Sequence, residues 1–140
     1  MAIVAVKGSS IDMIFRGRPL DYFSEIYDDA VTDRVLKLIQ EDRHEFILAY
    51  HQEYDDALHK TTPSSPEAMD ALSSHIKSFD TLAGATGLHW KQHDRAVMFA
   101  PDHGAHVDSA TGRGTHGDDI PEDMEVIHFF GFYRSDRWRY

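Results

Sequence analysis

Apolar positions along the chain fall into blocks whose period changes. Ala2-Ile3-Val4-Ala5-Val6 is a short, β-branched apolar run broken at Gly8-Ser9-Ser10, and Ile11-Asp12-Met13-Ile14-Phe15 resumes with partial alternation. Two such runs around a glycine-serine break predict a β-hairpin. From Pro19 the spacing of Leu20, Phe23, Ile26 and Tyr27 is helical. Thr32 can cap a further helix with Val35, Leu36, Leu38 and Ile39 as its buried stripe, and Phe46, Ile47, Tyr50, Tyr54 and Leu58 continue helical spacing to about Lys60, with a kink expected near Glu41-Asp42. After the loop Thr61–Pro66, Ser64 with Glu67, or Ser65 with Pro66, supplies the chemistry of a helix start. Met69, Leu72, Ile76, Phe79 and Leu82 form its apolar stripe, and Gly84 and Gly87 are expected to end it.

Leu88-His89-Trp90 and Ala96–Phe99 then read as strands joined by the turn Gln92-His93-Asp94. Residues 101–121 hold four glycines, two prolines and almost no large apolar side chain, which predicts a long surface loop. Between Met124 and Tyr133 both alternating sets are apolar, the pattern of a central strand, and Arg137-Trp138-Arg139-Tyr140 is read as an edge strand. The expected fold is a single α+β domain over residues 1–140, with an antiparallel sheet built from the N-terminal hairpin and the C-terminal strands, packed on one layer of three to four helices.

The 140 residues suffice for one core without covalent staples. Cysteine is absent, which excludes disulfides, thiolate metal sites and cysteine nucleophiles, and fits a reducing compartment. No run approaches the roughly 20 apolar residues of a membrane span, and Met1–Val6 is too short for the apolar region of a signal peptide, so a cytoplasmic location is expected. Twenty-four acidic against 14 basic side chains leave a net charge of −10 with histidines neutral, concentrated on either side of a near-neutral middle at residues 61–100. Such a surface repels phosphate backbones and argues against nucleic acid as a partner.

Charge and aromatic residues therefore lead the functional reading. Asp28, Asp29 and Asp33, then Glu53, Asp55 and Asp56, lie near Tyr27 and Tyr54. Carboxylates that steer encounter, with tyrosines that supply contact area, suit a module that masks a basic protein, as an immunity protein, antitoxin or phage-type inhibitor of a toxin or nuclease does. That reading needs no cofactor. The alternative is a metal-dependent hydrolase. Six of the ten histidines lie between His89 and His128, and the 101–121 loop offers His103, His106 and His116 with Asp102 and Asp108, donor types that suit zinc, manganese or non-haem iron. No HExxH, nucleophile elbow or P-loop is present. His128 in its apolar strand reads as a satisfied sheet residue, and the arginines and aromatics of Tyr133–Tyr140 as protection for a sheet edge.

Overall fold

The computed structural model describes residues 1–136, and its principal sheet is parallel. Strand β1 (Ala2–Val6) lies in the middle, between β2 (Asp21–Glu25) and β3 (Ile47–Tyr50), in the order β2-β1-β3. Ala2 pairs in register with Asp21 on one side and Ile47 on the other. The expected antiparallel sheet with its N-terminal hairpin is thus overturned. Parallel neighbours cannot be joined by a tight turn and need a crossover. Helix α1 (Ser10–Phe15) links β1 to β2, and α2 (Asp28–Glu41) carries the chain from β2 across β1 to β3. All five residues of β1 are buried, the unbroken apolar run that a strand covered on both faces requires.

Local chemistry explains each exchange of element. Ser9, in extended conformation, caps α1 by accepting the Asp12 N–H at 3.1 Å, and the Asp12 carboxylate accepts the Gly8 N–H at 2.8 Å. This reciprocal cap turns Ile11–Phe15 into helix instead of the expected second hairpin strand. The expected helix from Pro19 is β2, where Phe23 packs on the core and the Tyr22 hydroxyl donates to Asp12 at 2.8 Å. The bend expected at Glu41-Asp42 is the end of α2: Asp42 adopts the left-handed conformation at φ 49° and returns its N–H to Leu38 and Ile39. The helix expected from Phe46 to Lys60 divides into β3 and α3 (Glu53–Lys60).

Val31, Val35, Leu38 and Ile39 of α2 close over Ala2, Val4 and Val6 of β1, forming the main core. Full burial contributes about 1.5–3 kcal/mol for each of the larger side chains. Helix α4 (Pro66–His89) begins at the Ser65 cap, whose hydroxyl accepts the Ala68 N–H, and packs against α2 and α3. It runs straight through Gly84 and Gly87, because tertiary packing outweighs their weak helix propensity. Leu88 and His89 form its last turn instead of a strand, and Trp90 fastens its end by donating to the Ile39 carbonyl at 2.9 Å.

Beyond it, β4 (Arg95–Phe99) pairs antiparallel with β7 (Phe129–Tyr133) as a separate two-stranded ribbon. Among the described residues, the strand expected at the centre of a sheet therefore has β4 as its one neighbour, with Phe130 and Phe132 exposed. The segment between them carries β5 (His106–Val107) paired to β6 (Gly114–Thr115), then α5 (Pro121–Met124). Five helices form among the described residues, against the three to four expected. No helix is long and apolar enough to cross a membrane among those residues. The edge strand expected at 137–140 lies outside them.

Candidate metal centre

Because the three main strands are parallel, their carboxyl ends share one edge, and open α/β sheets place ligands at that edge. There β1 leads to the Ser9 cap, β2 to Asp28, and β3 through His51 and Gln52 into α3. Asp28, expected on an exposed rim, is buried. Its two oxygens accept the N–H groups of Gln52 at 2.8 Å and Glu53 at 3.0 Å, and His75 of α4 donates to it at 2.7 Å. Burial alone raises this carboxyl group's pKa, but the bonds from His75, Gln52 and Glu53 outweigh it and hold the group below the usual carboxylate range. Asp28 thus fixes the start of α3.

Four residues apart, Asp55 and His59 share one face of α3. Strand β6 brings His116 to them, and its approach depends on Gly114. A Cβ at Gly114 would stand 2.4 Å from the Leu58 carbonyl oxygen. Without one, Gly114 donates its N–H to the Thr61 carbonyl at 3.0 Å, and its own carbonyl accepts from Nδ1 of His59 at 3.0 Å. That bond puts the proton on Nδ1 and leaves the Nε2 lone pair of His59 directed into the cluster.

Three donor atoms converge there. Nε2 of His59 is 3.2 Å from Nε2 of His116, which is 3.1 Å from Oδ1 of Asp55, and the third side of the triangle is 3.4 Å. Zinc bonds of about 2.0–2.1 Å in a tetrahedron place neighbouring ligand atoms about 3.3 Å apart, so the triangle has the size of one tetrahedral face. Oδ1 of Asp55 is buried and, beyond its ion-pair contacts with His116 and His59, has no hydrogen-bond partner among the described residues. A buried carboxylate oxygen is costly unless a positive charge meets it, and a bound divalent ion or a protonated imidazole can supply that charge. The cluster remains partly open to solvent, with the His59 side chain 42% and that of His116 27% exposed.

No family model, curated protein or solved structure matches the chain.

Of the five metal-ligand candidates drawn from the 101–121 loop, only His116 joins the triangle. His103 stacks on His116 with ring centroids 3.6 Å apart, and Asp102 lies 3.7 Å from Nε2 of His103. Tyr50, at the end of β3, has its hydroxyl pKa raised by burial, with the charges of Asp102, Asp55 and Asp28 adding and a bond with Ser10 opposing. His103 therefore borders the centre, with Asp102 beside it. His106 instead pairs with Asp123, and Asp108 closes its own turn by accepting from Ala110 and Thr111.

The residues expected to face a partner have largely internal roles. Asp55 is in the triangle. Asp56 accepts from the Tyr27 hydroxyl at 2.8 Å and from Gln52, and Tyr54 donates to the Pro63 carbonyl. Glu53 lies half-buried beside Asp28 and His75, and Asp29 and Asp33 remain exposed on α2. The sequence reading passed over His59 and placed Asp55 elsewhere. The signal for both was an aspartate and a histidine four apart at helical spacing.

Proposed function

We propose that the chain is a metal-dependent hydrolase built on a divalent ion, with Asp55, His59 and His116 as its three protein ligands and zinc the ion that best suits their spacing. The observation that carries this reading is the triangle of 3.1–3.4 Å between two imidazole nitrogens and a buried, otherwise unpartnered carboxylate oxygen. Three protein ligands with a solvent-facing fourth position is the arrangement of catalytic zinc, where a bound water becomes acidic enough to attack at neutral pH. His103, stacked on His116 with Asp102 beside it, would serve to hold or move a proton there.

The test is elemental analysis of protein purified without an affinity tag, followed by assay against chromogenic carboxylic and phosphoric esters. One equivalent of zinc or a similar ion is expected, with hydrolysis lost on chelation, restored by the ion, and absent from His116→Ala. Protein that neither retains nor takes up a stoichiometric divalent ion overturns the reading.

A second reading rests on the net charge of −10 and on the exposed Asp29 and Asp33 of α2: a surface that binds and masks a basic protein. It predicts a stoichiometric complex whose association slows sharply with added salt, and that is unaffected by His116→Ala.

A further inference from the structure

His103 and His116 are thirteen residues apart, on opposite sides of the β5–β6 pair, yet their rings stack at 3.6 Å. Nothing in the ladder itself explains this, since each strand is only two residues long. The buried residue Asp123, from α5, ties the two sides together. On the His103 side, Oδ1 of Asp123 accepts from Nδ1 of His106 at 2.8 Å, and its backbone carbonyl accepts the Gly104 N–H at 2.7 Å. On the His116 side, Oδ2 accepts the Asp118 N–H at 2.9 Å. Gly104 has no room for a side chain, since a Cβ there would lie 1.9 Å from the Glu122 carbonyl oxygen. One carboxylate and one carbonyl of the same residue thus hold the chain just after each of the two histidines.

We infer that Asp123 is a positioning residue for the metal centre: through His106 and the backbone at 104 and 118, it holds His103 and His116 where the centre needs them. The inference rests on the proposed metal site and deepens it. Asp123 touches neither the triangle nor the solvent-facing position, so its effect is on ligand placement. Asp123 bonds no metal ligand directly and acts on His116 through the backbone at Asp118, so its effect is expected at the lower end of the roughly 10–100-fold cost in metal affinity that removal of a ligand's direct outer partner carries.

Cobalt(II) serves as the probe, because its visible absorption reports tetrahedral nitrogen and oxygen ligation directly. The intact chain is titrated with Co2+ against a chromophoric chelator, beside Asp123→Ala, Asp123→Asn, His106→Leu and His106→Asn, with far-UV circular dichroism to confirm folding. His106→Asn keeps a donor close to the position of Nδ1 and gives up only the 3.4 Å contact of Nε2 with Asp118, while His106→Leu removes both. The expected result is an affinity about 10-fold weaker in Asp123→Ala and a smaller loss in His106→Leu, both reaching the tetrahedral bands only at higher Co2+, with His106→Asn closest to wild type. Should Asp123→Ala fail to fold, Asp123→Asn and the His106 pair decide the matter. Wild-type binding with unchanged affinity and spectrum in the folded variants overturns the positioning role and leaves the metal centre standing. A wild-type chain that binds no Co2+ overturns both.

Discussion

Gly114→Ala is a one-methyl perturbation whose consequence can be worked from the coordinates. The added Cβ would lie 2.4 Å from the Leu58 carbonyl oxygen and 3.0 Å from Leu58 Cδ1. The first contact is with backbone at the end of α3, so no side-chain rotation relieves it. Reaching even the 3.0 Å that real contacts respect demands 0.6 Å of separation between β6 and α3, and ordinary contact at 3.4 Å demands 1.0 Å. Metal–ligand distances tolerate only about 0.2 Å, so His116 would leave the coordination range of Asp55 and His59. The same shift stretches the bonds from Gly114 to Thr61 and from His59 to Gly114, both 3.0 Å. Overpacking of this kind costs about 1–3 kcal/mol in stability, which leaves a folded protein to measure. Metal affinity is expected to fall by about 100-fold, the scale on which a displacement near 1 Å degrades a preorganised site. Competitive Zn2+ titration against a chelator, with thermal unfolding as control, reads both quantities. A variant that folds and binds zinc as the wild type does would refute the claim that contact between β6 and α3 builds the centre.

Asp28→Ala removes the acceptor of two backbone N–H groups and one histidine, and is expected to destabilise the fold by about 3–5 kcal/mol in urea unfolding. The folded-state pKa of Asp28 is depressed, so its contribution is present above the unfolded carboxylate pKa and is lost as pH falls through the folded value; the wild type should lose more stability than Asp28→Ala on acidification below about pH 4. His51 is depressed too, by burial first, with His75 adding and Asp28 and Asp29 opposing. Its contribution is full above about pH 6.5 and declines on acidification below that value, a component that should vanish from the pH–stability curve of His51→Phe. Ser9→Ala leaves the Asp12 N–H at the start of α1 without its cap and should cost about 1 kcal/mol by chemical denaturation.

The sequence was most legible where a signal was local. The Ser65-Pro66 start of α4 and the strand at Ala96–Phe99 rest on neighbours within a few residues and form at those positions, whereas α2 starts at Asp28 instead of at a Thr32 cap and buries Val31 with Val35, Leu38 and Ile39, leaving Leu36 half-exposed. The sheet's direction is not legible in the sequence, because strand direction is not a local property. Ala2–Val6 carries the unbroken apolar signature of a parallel central strand, and the Gly8-Ser9-Ser10 break that reads locally as a turn holds the helix cap Ser9. Short segments such as Asp21–Glu25 and Ile47–Tyr50 are strands because β1 offers them a ladder on each side, which their own spacing does not reveal. The donors lay in two groups 57 residues apart, His59 on a helix and His116 in a glycine-rich segment, and only the docking of Gly114 on Leu58 unites them. The acidic surface looks like one property in the sequence, whereas folding divides it between intramolecular acceptors such as Asp28, Asp56 and Asp123, the triangle residue Asp55, and exposed groups such as Asp29 and Asp33.

X-ray absorption at the zinc edge, on untagged protein loaded with one equivalent of zinc, reads the central claim most directly. The expected first shell is two imidazole nitrogens and one carboxylate oxygen at about 2.0–2.2 Å, completed by a light-atom solvent ligand, with one imidazole lost in His59→Ala or His116→Ala. A hydrated ion with no imidazole scattering, or a wild-type signal that survives in both variants, would contradict it.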